Sequence, residues 1–176
     1  MTQWNPSQQQ LLDMWQKHMY SEFVLKDVDM ALSTMTDDPY VLCVPVGNGG
    51  YGQAGVRRFY GEQFFTGMPA DIQSTQVALT IAENTLIEES VISFTHDIPM
   101  AWMLPGVGPT GRRVELAFIG VISFHDGKIC SERLYWDQAS VLVQLGVIDR
   151  GTPAVCGVEP ARLLQDPSKL AGRTLA

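Results

Sequence analysis

Hydrophobic residues recur every three to four positions near the start of the chain. Leu11, Leu12, Trp15, Met19 and Phe23 share one face of a helix. Asn5-Pro6-Ser7 supplies its beginning, with Asn5 as cap and Pro6 in the first turn. Val28, Ala31, Leu32 and Met35 keep the same period and predict a second short helix over 26–35, broken by Asp37-Asp38-Pro39. Residues 40–46 read as a short buried strand and Gly47-Asn48-Gly49-Gly50 as a turn. Residues 53–65 then fit a helix with Val56, Phe59, Tyr60 and Phe64 on one face, ended by Gly67-Met68-Pro69.

From Asp71 onward the period shortens to two. Segments 72–82, 85–98, 113–124 and 128–136 are rich in β-branched and aromatic residues and predict strands. Glu83-Asn84 and His125-Asp126-Gly127 have hairpin chemistry, so neighbouring strands are expected to run antiparallel. The junction 99–111 is long and rich in proline and glycine, the kind of loop that often carries function. A last helix is expected over 137–145, with Asp137 as its N-cap and Gly146 as its stop. Helices first, then an antiparallel meander and a closing helix, is an α+β order. The reading places one domain over 1–148. It leaves 149–176, with a short possible helix near 160–164, as a tail packing on the body or on a partner subunit.

Composition narrows the function classes. The 176 residues are 45% hydrophobic and 18% charged, enough apolar material for a core, and the net charge is −7. The adjacent basic pairs Arg57-Arg58 and Arg112-Arg113 do not make a phosphate-binding patch, so nucleic acid is not an expected partner. No run of about 18 apolar residues predicts a membrane span. The polar first ten residues and three widely spaced cysteines, Cys43, Cys130 and Cys156, point to reduced thiols and a cytoplasmic protein. His18, His96 and His125 are scattered, so no metal site is expected. Neither a G-x-S-x-G motif nor a nucleotide-binding glycine loop is present, and no cofactor is expected.

The helices-then-meander order, Asp126-Gly127-Lys128-Ile129, the run Arg133-Leu134-Tyr135-Trp136-Asp137 and the following 141–146 stretch resemble the SnoaL-like branch of the NTF2-like superfamily. That resemblance implies a cone-shaped, curved antiparallel sheet packed with helices around an apolar pocket. It also implies relatives among polyketide cyclases, limonene-epoxide hydrolase, ketosteroid isomerase, scytalone dehydratase and non-catalytic binders. The aspartate that ends the last strand in the cyclase and epoxide hydrolase relatives is similar in position to Asp137. The Arg-x-Asp of the epoxide hydrolase is matched by Thr95-His96-Asp97, where Asp97 is kept and the arginine is replaced by Thr95.

The expected chemistry follows from these residues. Asp137, at the polar end of the pocket, is the candidate base or water-positioner, and equally a plain helix cap. Alternation along 91–98 sends Ile92, Phe94, His96 and Ile98 to the more apolar face and Asp97 to the other. His96 or Asp97 is then the candidate partner that donates a proton or hydrogen bond. Tyr60, Trp102, Glu115, Tyr135 and Trp136 are candidate substrate contacts, with Trp102 in an apolar loop cluster that could cover the pocket. Both faces of 113–124 are apolar, which favours a homodimer. The expected activity is cofactor-independent acid–base proton transfer on a hydrophobic, carbonyl-bearing small molecule, of cyclase, isomerase or dehydratase type. The alternatives are a binding domain without catalysis, or epoxide hydrolysis by a water held between Asp97 and Asp137.

Overall fold

The structure is a computed structural model that describes residues 4–149, 151, 157–158 and 161–162. Most of the tail 149–176, including most of its expected helix, lies outside the described residues.

Helix α1 (Pro6–Tyr20) opens with a capping box: the Asn5 side chain accepts from the Gln8 amide at 2.9 Å, and the Asn5 amide donates to Gln8 Oε1 at 3.1 Å. One π-helical turn, Ser21–Leu25, extends it, and Lys26 in the left-handed region (φ 51°) ends it. Helix α2 (Val28–Ser33) is capped by Asp27. Helix α3 (Gly52–Phe59) is likewise continued by a π-helical turn, Tyr60–Phe64. Such turns displace side chains from the regular helical positions and are frequent at functional sites.

Six strands form one sheet in the order β2-β1-β6-β5-β4-β3. They are β1 (Met35–Cys43), β2 (Asn48–Tyr51), β3 (Gln73–Ile81), β4 (Thr85–Thr95), β5 (Arg113–His125) and β6 (Lys128–Trp136). All neighbours are antiparallel except β1 and β6, which run parallel. The expected α+β class and antiparallel meander are therefore present. The helices pack on the inner face of the sheet, where Leu86, Phe94, Val114, Leu116, Ile122 and Ile129 are fully or almost fully buried.

Two early expectations need correction. The strand begins at Met35 rather than 40, and Asp37-Asp38-Pro39 lies inside it. The register with β6 slips between Met35 and Tyr40, so the residues that looked like a turn form a bulge, where the missing proline N–H breaks no ladder bond. The glycine run 47–50 is also not a free turn, because Asn48–Tyr51 pairs with β1. Gly49 takes a φ of 154°, and a Cβ there would collide with the Val41 carbonyl, so this strand can approach β1 only without a side chain.

A second bulge aims the site. On β6, Ile129 pairs with Phe124 and Ser131 with Ser123, leaving Cys130 as an extra residue. Inward alternation therefore restarts, and Glu132, Leu134 and Trp136 point to the helices while Arg133 and Tyr135 point out.

Helix α4 (Gln138–Leu145) closes against β5. As expected, Asp137 is its cap, accepting from the amides of Ala139 (3.0 Å) and Ser140 (3.3 Å), and Gly146 (φ 71°) ends it. Replacing Asp137 by Ala should cost about 1 kcal/mol of unfolding free energy, measured as a lower urea midpoint with unchanged slope.

Candidate active site

The stripe of α1 that packs on the sheet is not wholly apolar. Leu11, Trp15, His18 and Glu22 follow one another at four, three and four residues, and all are buried. His18 is 0% exposed and Glu22 2%. Two polar side chains at core positions need partners, and those come from three other elements. Thr34, at the end of α2, sits 2.6 Å from His18 Nδ1. Tyr60, on the π turn after α3, places its hydroxyl 3.2 Å from His18 Nε2. Glu132, turned inward by the β6 bulge, places Oε1 3.0 Å from the same nitrogen. Glu22 Oε1 lies 3.2 Å from it on the other side.

The hydrogen-bond network assigns the protons. Thr34 donates its hydroxyl to the Ala31 carbonyl at 2.6 Å, so toward His18 it can only accept, and Nδ1 carries a hydrogen. Nε2 faces two carboxyl oxygens, which are acceptors when ionised, so it carries a hydrogen as well. Burial alone would pull the imidazole down, but Glu132 and then Glu22 outweigh it and hold His18 up to about 10. It is an imidazolium at neutral pH. Glu22 moves upward too, chiefly because burial penalises its charge, with Glu132 adding to the shift and His18 opposing it. Tyr60 donates to Glu132 Oε1 at 2.8 Å and is kept neutral by burial beside the two carboxyl groups. Glu22 Oε1 accepts no hydrogen bond.

Glu22, Tyr60 and Glu132 face a cavity of about 280 Å³, with His18 and Thr34 behind them. The rest of its wall is mostly apolar and aromatic, including Trp15, Phe59, Phe64, Trp102 and Phe118. Glu88, Ser74 and Ser90 form a second polar stretch across the space on β3 and β4. A more open groove between α1 and β3 shares Trp15, Met19, Phe23 and Glu88 with the cavity wall.

The residues singled out from sequence fall into two groups. Tyr60 and Trp102 lie on the cavity wall; Trp102 is buried, edge-on to Phe64, with its indole N–H donating to the Gly67 carbonyl at 2.9 Å. The others do not line it. Asp137 is exposed and engaged as a cap, which corrects its placement at the pocket's polar end. Asp97 is exposed just beyond β4. His96 is buried as the alternation required, but it supports the 99–111 loop: its carbonyl accepts from Thr110 and Gly111, and Nδ1 lies 3.3 Å from Thr110 Oγ1. Glu115 sits beside α4, bonded through its backbone to Gln144 and 3.4 Å from Arg162. Tyr135 points outward, and Trp136 packs behind the wall on Phe118 and Trp102. Thr95, where the resemblance asked for arginine, bonds to Asp71.

Sequence reading missed His18, Glu22 and Glu132. A signal for the first two was present, since both occupy positions on the apolar stripe of α1. Glu132 had one too, since alternation puts it on the face of Leu134 and Trp136, opposite Arg133 and Tyr135.

His18, Glu22 and Glu132 also offer one ligand atom each, all within 4.8 Å of one another. A metal there would have to displace the proton on His18 Nε2, which is firmly held at neutral pH.

A curved sheet wrapped over helices around an apolar cavity is the NTF2-like fold. The chain belongs to the SnoaL-like domain family, whose model matches residues 16–132, roughly two thirds of its length. A protein from Jannaschia sp. CCS1 described as a SnoaL-like polyketide cyclase superposes with a TM-score of 0.68 at 16% identity, over 84% of this chain and 99% of that one. AclR from Streptomyces galilaeus, described as a hydroxylase, gives 0.61 at 18% identity, over 81% and 88%. A protein from Kribbella flavida DSM 17836 described as a ketosteroid isomerase gives 0.51 at 14% identity, over 74% and 79%. A search of curated proteins finds no match. Among the described residues no helix is long and apolar enough to cross a membrane.

The imidazolium makes stability depend on pH. Its proton is held more tightly in the folded chain (about 10) than in the unfolded one (about 6.5), so its contribution is complete below pH 6.5 and drains away as pH rises toward 10. The groups around it reinforce this sign. Glu22, raised in the fold, also binds more protons when folded, and the buried Cys43 thiol, pushed up to about 12 from 9.0, adds only above pH 9. Thermal melts between pH 6.5 and 9 should therefore show a falling Tm, and His18→Gln should flatten that slope.

Proposed function

We propose that this protein is a cofactor-independent enzyme that moves a proton on a hydrophobic, carbonyl-bearing small molecule held in the cavity, as a cyclase, isomerase or dehydratase does. The observation that supports this most is Glu22 itself: a buried carboxyl on the wall of an apolar cavity large enough for a small molecule, its Oε1 paired with His18 Nε2 but accepting no hydrogen bond. Burial raises Glu22 toward neutrality, which makes its carboxylate a stronger base than one in water.

In this reading Glu22 takes a proton from the carbon next to the carbonyl, and the C–H electron pair moves into the enolate. The Tyr60 hydroxyl, kept neutral and lining the same cavity, is the donor to the developing oxyanion once its one proton turns from Glu132 Oε1. His18 and Glu132 hold a compensated charge pair behind it. Protonated Glu22 then returns its proton to another carbon, which is isomerisation, or to a departing hydroxyl, which is dehydration. In a cyclase the enolate carbon attacks a second carbonyl, and Glu22 protonates the new alkoxide. A carboxyl group working in an apolar cavity follows the pattern the ketosteroid isomerases illustrate. Epoxide hydrolysis between Asp97 and Asp137 is not supported, since both are exposed and neither reaches the cavity. Pairing of two copies through the outer sheet face, where Ile119 and Tyr135 are exposed, remains part of the proposal.

The test is deuterium uptake from D2O into a panel of hydrophobic cyclic ketones and 1,3-diketones. Wild type should catalyse exchange, and Glu22→Gln should lose roughly 10²–10⁴ of the rate. Asp137→Asn should keep it. Ligand binding without any exchange would instead support a binding domain, and loss of exchange in the Asp137 variant alone would return the base to that residue.

A further inference from the structure

Charge on the cavity wall is one-sided. Among the described residues, Glu22, Glu88 and Glu132 line it, and no lysine or arginine does. At the inner end His18 compensates the carboxyl pair. Glu88 is different. Among the described residues its carboxylate has one polar side-chain contact, the indole N–H of Trp15 at 2.8 Å to Oε2, and no cation within ion-pair reach. That indole also fixes its direction. Glu88 lines both the cavity and the outer groove, so it stands where the two meet. Trp15 and Phe23 line both spaces as well and add apolar surface beside it.

We propose that Glu88 makes this cavity selective for hydrophobic ligands that carry a cationic amine, held at the junction while the uncharged end lies toward Glu22 and Tyr60. A protonated tertiary amine would donate to Glu88 Oε1 and rest its alkyl groups on the aromatic wall. Its apolar remainder would lie along the apolar and aromatic wall of the cavity. A carboxylate-bearing ligand would meet an uncompensated like charge at the same place and be rejected. The protein's net charge of −7 favours cation approach in the same sense. The inference names the substrate class of the proposed cavity and rests on that cavity being the ligand site, but not on proton transfer occurring there.

The experiment compares molecules of nearly one shape by tryptophan fluorescence titration at pH 7: N,N-dimethylbenzylamine (a cation at this pH), its carbon isostere isobutylbenzene, and phenylacetate. The amine should bind at least about tenfold more tightly than the hydrocarbon, and phenylacetate more weakly than either. Glu88→Gln keeps an acceptor for the Trp15 indole and should bring amine and hydrocarbon to within about threefold, by weakening the amine. Equal binding of amine and hydrocarbon by wild type, no binding of the amine, a preference for phenylacetate, or an amine preference that survives in Glu88→Gln would each overturn the proposal. The wild-type comparison stands even if the variant folds poorly. Glu22→Gln separates the two proposals: it should abolish exchange while keeping the amine preference.

Discussion

One imidazole nitrogen holds the inner half of this molecule together. His18 Nε2 lies within 3.2 Å of oxygens from the π turn after α1, from the π turn after α3 and from β6, and Nδ1 reaches the end of α2. Four segments distant in sequence thus converge on one ring. Removing the ring would leave two carboxyl groups facing each other in an apolar interior, a situation that costs far more than the loss of any single surface ion pair. The proton on that nitrogen is therefore as structural as the hydrophobic contacts around it. Both π turns serve the same point, since Glu22 and Tyr60 each lie on one.

The same arrangement explains why the site is poised rather than inert. The imidazolium can neutralise one carboxylate fully, and Tyr60 already donates to Glu132. Glu22 is left as the carboxyl with the least help, its ionised form opposed by burial and by its neighbour. A fully satisfied network would rigidify the core and do nothing else. Here one acceptor lacks a hydrogen bond, and the residue that carries it lines a cavity in which a small molecule fits.

Much of the fold was legible because it rests on short-range rules. The α1 cap, the two hairpins, Asp137 capping α4 and Gly146 ending it are local chemistry, and the structure has them where the sequence pointed. Pro39 and the glycine run misled because proline and glycine mark bulges and close approaches as well as turns, and only the partner strand decides which. The site was harder to read. Asp137 sits beside aromatic neighbours in sequence, but as the residue that leaves the strand it points along the helix end and into solvent. His96 followed the alternation inward, yet to a different part of the core. His18 and Glu22 were visible only as polar interruptions of an apolar stripe. Glu132 shares the face of Leu134 and Trp136 by simple alternation, but the register change at Cys130 hid that this face, and not that of Ile129 continued, turns inward.

That register change has a consequence for how the wall can vary. Because Cys130 is the extra residue, the turn side of β6 and its inner-face side obey separate frames: Ile129 belongs to one, Glu132, Leu134 and Trp136 to the other. The hairpin at Asp126-Gly127 can be remodelled without rotating the acidic wall, provided the spare residue stays. Conversely, the protein has a single-residue adjustment that exchanges the whole inward set for the outward one, so that Arg133 and Tyr135 would face the helices. The spare residue therefore decides that this strand gives the wall Glu132 rather than Arg133.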